Sequence, residues 1–261
     1  MKSTFMKIHL LNFVIALVFS LNCFAVMKGN VVTSSDILNS TVKITGENGV
    51  CTGIVIGKRT ILTAAHCIDA KDGDATEVMK PIFVQKFQSA TTFGKATGIF
   101  YSFSTLTAGA GKDVGYIYLQ SDLELPMASI KMASSFSEGD ELCVVGQGKD
   151  ENQNMGTLKI RCGLKAQLDT HFGMFFIGDP SDPAAGVGSG DSGGPVYKKL
   201  GEKFEVVGVI SKGIDPASPI YQQGVAINLM TDITKGFAKN WIDTYRCLTY
   251  NLQKTDSDLC K

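Results

Sequence analysis

The stretch Gly190–Pro195, which reads G-D-S-G-G-P, has the clearest chemical potential in this sequence. A serine hydroxyl is a weak nucleophile at neutral pH, so it needs a base beside it and backbone N–H groups directed at the oxygen that becomes negative. Glycines on both sides of Ser192 allow a substrate to approach the backbone closely. The stretch therefore predicts a nucleophilic serine next to an anion-binding pocket.

The base for Ser192 has to come from an earlier part of the chain. The same residues also fit the G-x-S-x-G pattern of α/β-hydrolases, in which the histidine follows the serine. Here the three histidines are His9, His66 and His171, and all of them precede Ser192. His9 lies in a segment that we expect to be removed, so His66 and His171 are the candidates.

His66 has more support from its surroundings than His171. His66 lies within Thr63–Cys67, at the end of an apolar run and next to a cysteine. His171 lies in a loop-like stretch, where a half-exposed histidine is ordinary. A base that takes up a proton becomes a cation, and a buried carboxylate on its other nitrogen stabilises it. Asp113 leads directly into the apolar run Val114–Leu119 and would be costly to bury without a partner.

A second group of acids is better explained as solvated surface. Asp69, Asp72, Asp74 and Glu77 cluster in a polar loop, and a calcium site is the alternative that their spacing leaves open. The serine chemistry itself requires neither a metal ion nor an organic cofactor, and we expect none.

Short apolar runs separated by Gly, Asn, Asp or Ser dominate the chain from Thr41 onward. They are rich in Val, Ile, Tyr and Thr, which predicts strands of a sandwich or barrel and an all-β fold. The examples are 53–56, 60–65, 114–119, 142–145 and 206–210. The one convincing helix is Lys235–Tyr245, which carries aromatic residues at helical spacing.

Residues 1–25 have the pattern of a secretory signal peptide. Two lysines precede the apolar run Ile8–Leu21, and Ala25 is a small residue at the expected cleavage position. Lipid anchoring through Cys23 is the alternative, but Leu21 and Asn22 match it poorly. Loss of two lysines changes the formal net charge from 0 to −2, so nucleic acid is not an expected partner, and no apolar run remains for the membrane.

Six cysteines remain after residue 25. An even number in an exported chain predicts disulfides, and sequence alone leaves about 15 pairings open. Spacing favours Cys51 with Cys67, Cys143 with Cys162 and Cys247 with Cys260. The second pair would fix a hairpin whose loop is 146–155, and the third would close the polar tail 246–261.

Three motifs in the order His, Asp, Ser resemble those of the trypsin-like serine proteases with the chymotrypsin fold. Residues 63–67 match T-A-A-H-C, residues 113–119 match the family's D-[IV]-[AG]-x-[IL]-x-L strand, and residues 190–195 match G-D-S-G-G-P. The likeness extends from about Thr41 to Tyr245. It implies two packed six-stranded antiparallel β-barrels, near residues 26–125 and 126–235. A C-terminal α-helix follows and ends the protease domain near residue 245.

The resemblance also implies the role of each site residue. His66 is the general base, Asp113 orients it, and Ser192 is the nucleophile, while the N–H groups of Gly190 and Ser192 form the oxyanion hole. The substrate is then a protein or peptide, and the enzyme a monomeric serine endopeptidase that is secreted or periplasmic.

The resemblance places the primary specificity pocket at a small set of residues without charge. They are Gly186, Val187, Ser211, Gly213 and Gly224. Trypsin has an aspartate at the position of Gly186, so we expect a preference for medium or large apolar side chains instead of Lys or Arg. An acid from elsewhere, such as Asp182 or Asp215, is the alternative. Lys212 replaces an aromatic residue of the family, and the cysteine pair that braces the pocket is missing.

The start of the domain also departs from the family pattern. There is no I-V-G-G, whose freed amino group pairs in the family with the aspartate before the nucleophile, here Asp191. Signal cleavage after Ala25 would itself expose Val26 as that terminus, and a cut after Lys28 is the alternative.

Two other functions compete with the endopeptidase. A silent homologue could bind a protein through the same cleft, although such homologues usually lose a residue of the triad. An α/β-hydrolase esterase is opposed by the absence of a histidine after Ser192.

Overall fold

The first half of the described chain forms a closed six-stranded antiparallel barrel. A computed structural model describes residues 26–46, 49–68, 82–87, 92–102, 113–119, 122, 131–149, 154–169, 173–179, 181–182, 186–213 and 228–253. Its early elements are β1 (Asn30–Val31), α1 (Ser35–Ser40), β2 (Thr41–Gly46), β3 (Gly49–Val55), β4 (Thr60–Thr63), a 3₁₀ turn (Ala65–Cys67), β5 (Phe83–Lys86), β6 (Thr92–Ser102) and β7 (Val114–Leu119). The barrel order is β2-β3-β4-β7-β6-β5.

The second half builds a sheet whose pairings also close on themselves. Its elements are β8 (Lys131–Met132), β9 (Glu141–Gly146), β10 (Lys159–Asp169), β11 (Met174–Gly178), β12 (Pro195–Leu200), β13 (Lys203–Gly213), β14 (Asn228–Asp232) and α2 (Gly236–Gln253). Six antiparallel pairings connect β9, β10, β11, β14, β13 and β12 in a ring. β1 adds to β10, and β8 lies parallel to β13. The fold is the predicted chymotrypsin-like one.

Strand β7 shows why the sequence folds this way. All six residues of Val114–Leu119 are buried, in agreement with their continuous apolar pattern. Tyr116 is fully buried and makes an edge contact with Trp241 of α2, with ring centroids 5.9 Å apart. The C-terminal helix therefore packs Trp241 against the first barrel.

The helix is longer than the sequence pattern predicts. The aromatic spacing ends at Tyr245, whereas α2 continues to Gln253. The prediction that residues after Tyr245 form a tail is wrong up to Gln253, because Leu248 and Leu252 continue the helical spacing of Trp241 and Tyr245. Cys260 and the signal region lie outside the described residues, as does the side chain of Cys247.

Two of the three predicted disulfides are present. Cys51 bonds to Cys67, and Cys143 bonds to Cys162 across the β9–β10 hairpin. The hairpin loop spans 147–158, so it ends three residues later than the predicted 155. Among the helices that the structure describes, none combines the length and apolar composition needed to cross a bilayer.

Replacing both Cys143 and Cys162 with alanine should lower the free energy of unfolding by about 3 kcal/mol, since the bridge closes a short loop in the unfolded chain. Urea titration of the oxidised protein and the double variant measures this difference. We expect activity at low temperature to survive, because neither cysteine contacts the site described below. An unchanged unfolding midpoint would show that the bridge does not constrain the unfolded chain.

Candidate active site

His66 lies at the end of the first barrel, directly after strand β4. It is the middle residue of the 3₁₀ turn Ala65–Cys67, and its neighbour Cys67 is tied to β3 through Cys51. The imidazole is 38% exposed, whereas the residues on either side of it are buried. The backbone is thus held from both sides while the ring faces the surface.

Pairing between β4 and β7 brings Asp113 to His66. Thr63 lies opposite Gly115, so the residues after β4 and before β7 emerge side by side. Asp113 Oδ2 is 2.8 Å from His66 Nδ1, and Asp113 Oδ1 accepts a 3.0 Å hydrogen bond from the backbone N–H of His66. The carboxylate therefore fixes both the ring and the backbone of the histidine.

The second barrel completes the surroundings of Asp113. Its side chain is only 5% exposed, and the hydroxyl of Ser211 donates to Oδ2 at 2.5 Å. The hydroxyl of Thr231 donates to the Asp113 carbonyl at 3.1 Å. Burial opposes ionisation, but the hydrogen bonds from His66 and Ser211 and the charge of His66 outweigh it and lower the pKa of Asp113. The group is an anion at neutral pH.

Loop 188–194, which precedes β12, carries Ser192. Gly190 has a φ of +101°, a conformation that favours glycine, and a Cβ there would lie 2.8 Å from the Cα of Gly148. Neighbouring bonds fix the loop: the Asp191 N–H donates to the Gly188 carbonyl, and the Gly193 N–H donates to the Ile210 carbonyl. Ser192 itself is half-buried.

The two barrels meet where this loop passes β3 and β4. The Thr52 N–H donates to the Ser192 carbonyl at 2.8 Å. A Cβ on Gly193 would lie 2.0 Å from Thr63 Oγ1 and 3.0 Å from the Ala64 nitrogen. Because Thr63 and Ala64 directly precede the turn with His66, the loop of Ser192 packs beside the histidine segment.

The N–H groups of Gly190 and Ser192 flank Asp191 in this loop. Within the part of the chain that the structure describes, neither N–H donates a hydrogen bond to a protein group. Buried N–H groups without a partner are rare in proteins. Gly190 is buried and Ser192 is half-buried, so two N–H groups without a described partner lie close together here.

Asp191 belongs to the same loop, and its side chain is completely buried. Its Oδ1 accepts from the Gly148 N–H at 2.7 Å, its Oδ2 accepts from the Gly188 N–H at 2.9 Å, and the backbone N–H of Val26 donates to it as well. Burial nevertheless dominates and raises the pKa of Asp191 to about 7.

The segment that begins at Val26 is held in the second barrel. Val26 is fully buried, and the Met27 N–H donates to the Gly186 carbonyl at 3.0 Å. Lys28, at a φ of 57°, bonds both oxygens of Asp182 at 2.8 and 2.9 Å. Arg161 donates to the Lys28 carbonyl at 3.3 Å.

The predicted pocket residues are only partly gathered by the described structure. Gly213 lies against Val187, since a Cβ on Gly213 would be 2.8 Å from the Val187 carbonyl oxygen. A Cβ on Gly186 would meet the side-chain amide of Asn228 at 3.1 Å. Gly224, Asp215 and His171 lie outside the described residues, as do the acids of loop 69–77.

Asn228 and Ser211 differ from what the motifs indicate. Asn228 is buried, pairs with Gly213 across β13 and β14, and accepts from the Val187 N–H at 3.0 Å. No sequence motif points to it. Ser211, which the resemblance places in the pocket, also donates its hydroxyl to Asp113, a contact that the motifs do not indicate.

A cluster of Cys51, His66 and Cys67 has its possible ligand atoms within 4.8 Å of one another. Both sulfurs belong to one disulfide, so neither is available as a thiolate ligand. This cluster therefore offers a metal ion only the imidazole.

Comparison with protein families gives one match. The model described as Trypsin matches residues 31–235, which include β1 to β14 except for the first residue of β1. A comparison with curated proteins finds no match.

Proposed function

The chain belongs to the trypsin family of serine proteases, and we propose that it is an exported endopeptidase that hydrolyses peptide bonds through an acyl-enzyme. The observation that carries this proposal is the hydrogen-bonded pair of His66 and the buried Asp113 beside the loop of Ser192. The segments that carry His66, Asp113 and Ser192 adjoin at the junction between the barrels. That arrangement supports acyl transfer better than partner binding alone.

In the proposed acylation, Ser192 Oγ bonds to the carbonyl carbon of the substrate and its proton passes to His66 Nε2. Asp113 holds Nδ1 as the donor toward its carboxylate and stabilises the imidazolium. The C–N bond then breaks as His66 gives the proton to the leaving amine. Water repeats the sequence on the ester, which releases the acid and restores the serine.

The tetrahedral intermediate carries a negative oxygen in each half of the reaction. We assign its two donors to the N–H groups of Gly190 and Ser192, which donate to no described residue. One donor of this type contributes about two to three decades of rate.

The proposal is tested by incubating the mature chain, residues 26–261, with an unfolded protein substrate. We expect internal cleavage by the wild type and none by the His66→Ala chain. Absence of cleavage by a folded, correctly processed wild type would contradict the proposal.

Export is part of the proposal. Residues 1–25 act as a signal peptide, the protease domain spans 26–245 with barrels near 26–125 and 126–235, and the chain acts as a monomer outside the cytoplasm. The disulfides Cys51–Cys67 and Cys143–Cys162 support an oxidising compartment. The tail 246–261 begins inside α2, and we propose that a disulfide between Cys247 and Cys260 closes it.

We further propose that signal cleavage after Ala25 activates the enzyme without another cut. The freed ammonium of Val26 would lie where its amide N–H now meets Asp191. A cut after Lys28 would remove Val26, which is fully buried, and the Lys28 side chain, which is bonded to Asp182. The buried position of Val26 therefore favours the terminus at this residue.

For the substrate, we propose preference for an apolar side chain before the scissile bond. Gly186, Val187, Gly213 and Asn228 bring no charge to the described part of the pocket, and Asp182 is engaged by Lys28. An arginine buried there would find no free carboxylate among the pocket residues that the structure describes.

In a peptide panel, kcat/KM should be at least about 10-fold higher after Phe or Leu than after Arg. Asn228→Asp is the matched variant, because it adds a carboxylate and keeps an acceptor for the Val187 N–H. It should shift the ratio toward Arg. Equal or faster cleavage after Arg by the wild type would refute the preference.

A further inference from the structure

Two buried threonines of the first barrel contact the loop of Ser192. Thr52 on β3 and Thr63 on β4 are both fully buried. The Thr52 hydroxyl donates to the Gly190 carbonyl at 2.9 Å, and the Thr63 hydroxyl donates to the Thr52 carbonyl at 2.9 Å. We refer to Thr52 and Thr63 as the threonine clamp.

The clamp acts on the peptide unit between the two proposed anion donors. This unit contains the Gly190 carbonyl and the Asp191 N–H. The carbonyl is held by Thr52 Oγ1, and the N–H is held by the Gly188 carbonyl. The peptide units on either side carry the N–H groups of Gly190 and Ser192. Anchoring the central unit therefore sets the orientation of both neighbours.

The backbone of Thr52 adds a second attachment. Its N–H donates to the Ser192 carbonyl at 2.8 Å, so one residue binds the carbonyls on both sides of Asp191. The clamp also leaves no room behind Gly193, where a Cβ would lie 2.0 Å from Thr63 Oγ1 and 2.3 Å from the Thr52 carbonyl oxygen. A tight fit of this kind limits movement of the loop.

Removal of the Thr52 hydroxyl would release only one of these constraints. The Gly190 carbonyl would lose its side-chain donor inside a buried junction, which favours rotation of the peptide unit toward another donor. Gly190 allows such rotation because it has no Cβ. The backbone bond to Ser192 would remain, so the nucleophile would stay near its position.

We propose that Thr52 is a positioning residue of the anion site, and that its side-chain hydroxyl, supported by Thr63, keeps the N–H groups of Gly190 and Ser192 aligned across the barrel junction. This inference depends on the proposed function, since it assigns the clamp a share in stabilising the transition state. Thr52 does not touch the reacting atoms.

The test compares Thr52→Val with Thr60→Val in the mature chain. Thr60 is also fully buried in the first barrel, and within the described residues its hydroxyl has no hydrogen-bond partner. The two variants thus make the same chemical change with and without a bond to the loop. Thr52→Ser keeps the hydroxyl. Thr63→Val removes the hydrogen bond from Thr63 to the Thr52 carbonyl, and both partners of that bond lie outside loop 188–194.

We expect Thr52→Val to lower kcat by about 10- to 100-fold, which is part of the value of an anion donor, with KM within about twofold. Its affinity for a peptide aldehyde, which forms a tetrahedral adduct, should fall by the same factor. Thr60→Val should match the wild type, Thr63→Val should lose only a few-fold, and Thr52→Ser should recover most of the activity. Titration of reactive serines normalises each rate to folded protein.

Equal kcat for Thr52→Val and Thr60→Val in an active enzyme would contradict the proposed positioning role of Thr52 and leave the proposed function intact. A larger KM with unchanged kcat would overturn it as well, because the hydroxyl would then affect substrate binding alone. If Thr52→Val does not fold, the kcat of Thr63→Val relative to that of Thr60→Val and Thr52→Ser takes its place. Equal kcat for all three would contradict the proposed role of Thr52. An inactive wild type would contradict the proposed function itself.

Discussion

Replacing Ser192 with alanine is expected to lower kcat/KM by about six decades, the loss that accompanies removal of a triad nucleophile. The change removes the atom that forms the acyl bond and leaves the His66–Asp113 pair in place. The measurement is hydrolysis of a peptide ester and a peptide amide by the purified mature chain. Thermal unfolding of the variant should match that of the wild type, because Ser192 is only half-buried.

The double replacement of Ser192 and His66 supplies the control for this prediction. Residues that act as one unit give non-additive losses, so the double variant should be about as slow as either single variant. Losses that multiply would show that the two side chains act independently. A Ser192→Ala chain that keeps more than about one hundredth of the wild-type rate would contradict the assigned nucleophile.

Keeping the chain joined to Ala25 is expected to lower kcat/KM by at least about 100-fold, the value of one anion donor. The neutral amide of Val26 leaves Asp191 with a pKa of about 7, so its carboxylate is poorly stabilised. The free ammonium of Val26 would supply the opposite charge inside the same buried site. The measurement compares residues 26–261 with a chain that retains Ala25 behind a cleavage-resistant junction.

The same comparison has a pH signature with a defined sign. In the joined chain the folded pKa of Asp191, about 7, lies above its unfolded value. The stability it contributes is fully present below the unfolded pKa and is lost as pH rises through about 7. Asp191→Asn should remove this loss from the joined chain.

Unfolding temperatures at pH 5 and pH 8 measure the effect. The mature chain should lose less stability than the joined chain over this interval, since the ammonium favours the carboxylate. Equal activity of the two chains would contradict activation by the new terminus.

The pairing of His66 with Asp113 follows from the motifs because both residues lie at strand ends. The run Val114–Leu119 is apolar throughout, so its strand could be placed from sequence, and the register with β4 then sets Asp113 beside His66. The cysteines were similarly informative, since Cys143 and Cys162 lie on paired strands of a hairpin. Local patterns sufficed wherever one strand pairing determined the contact.

No pattern in the sequence marks the contacts between the barrels. Thr52 is a polar residue inside a strand, and only the packing of the two barrels brings its hydroxyl to loop 188–194. The helix prediction stops at Tyr245 for a different reason: it follows the aromatic residues alone, whereas Leu248 and Leu252 continue the same spacing. Side-chain hydrogen bonds across a junction depend on three-dimensional register, which sequence spacing does not encode.

The most direct test of the triad is reaction of the folded mature chain with a serine-directed fluorophosphonate, followed by peptide mapping. We expect a single adduct on Ser192 in the wild type and none in the Ser192→Ala and His66→Ala chains, because the hydroxyl requires the imidazole to become nucleophilic. A folded wild type that never forms the adduct, or one that forms it equally well without His66, would contradict the assignment.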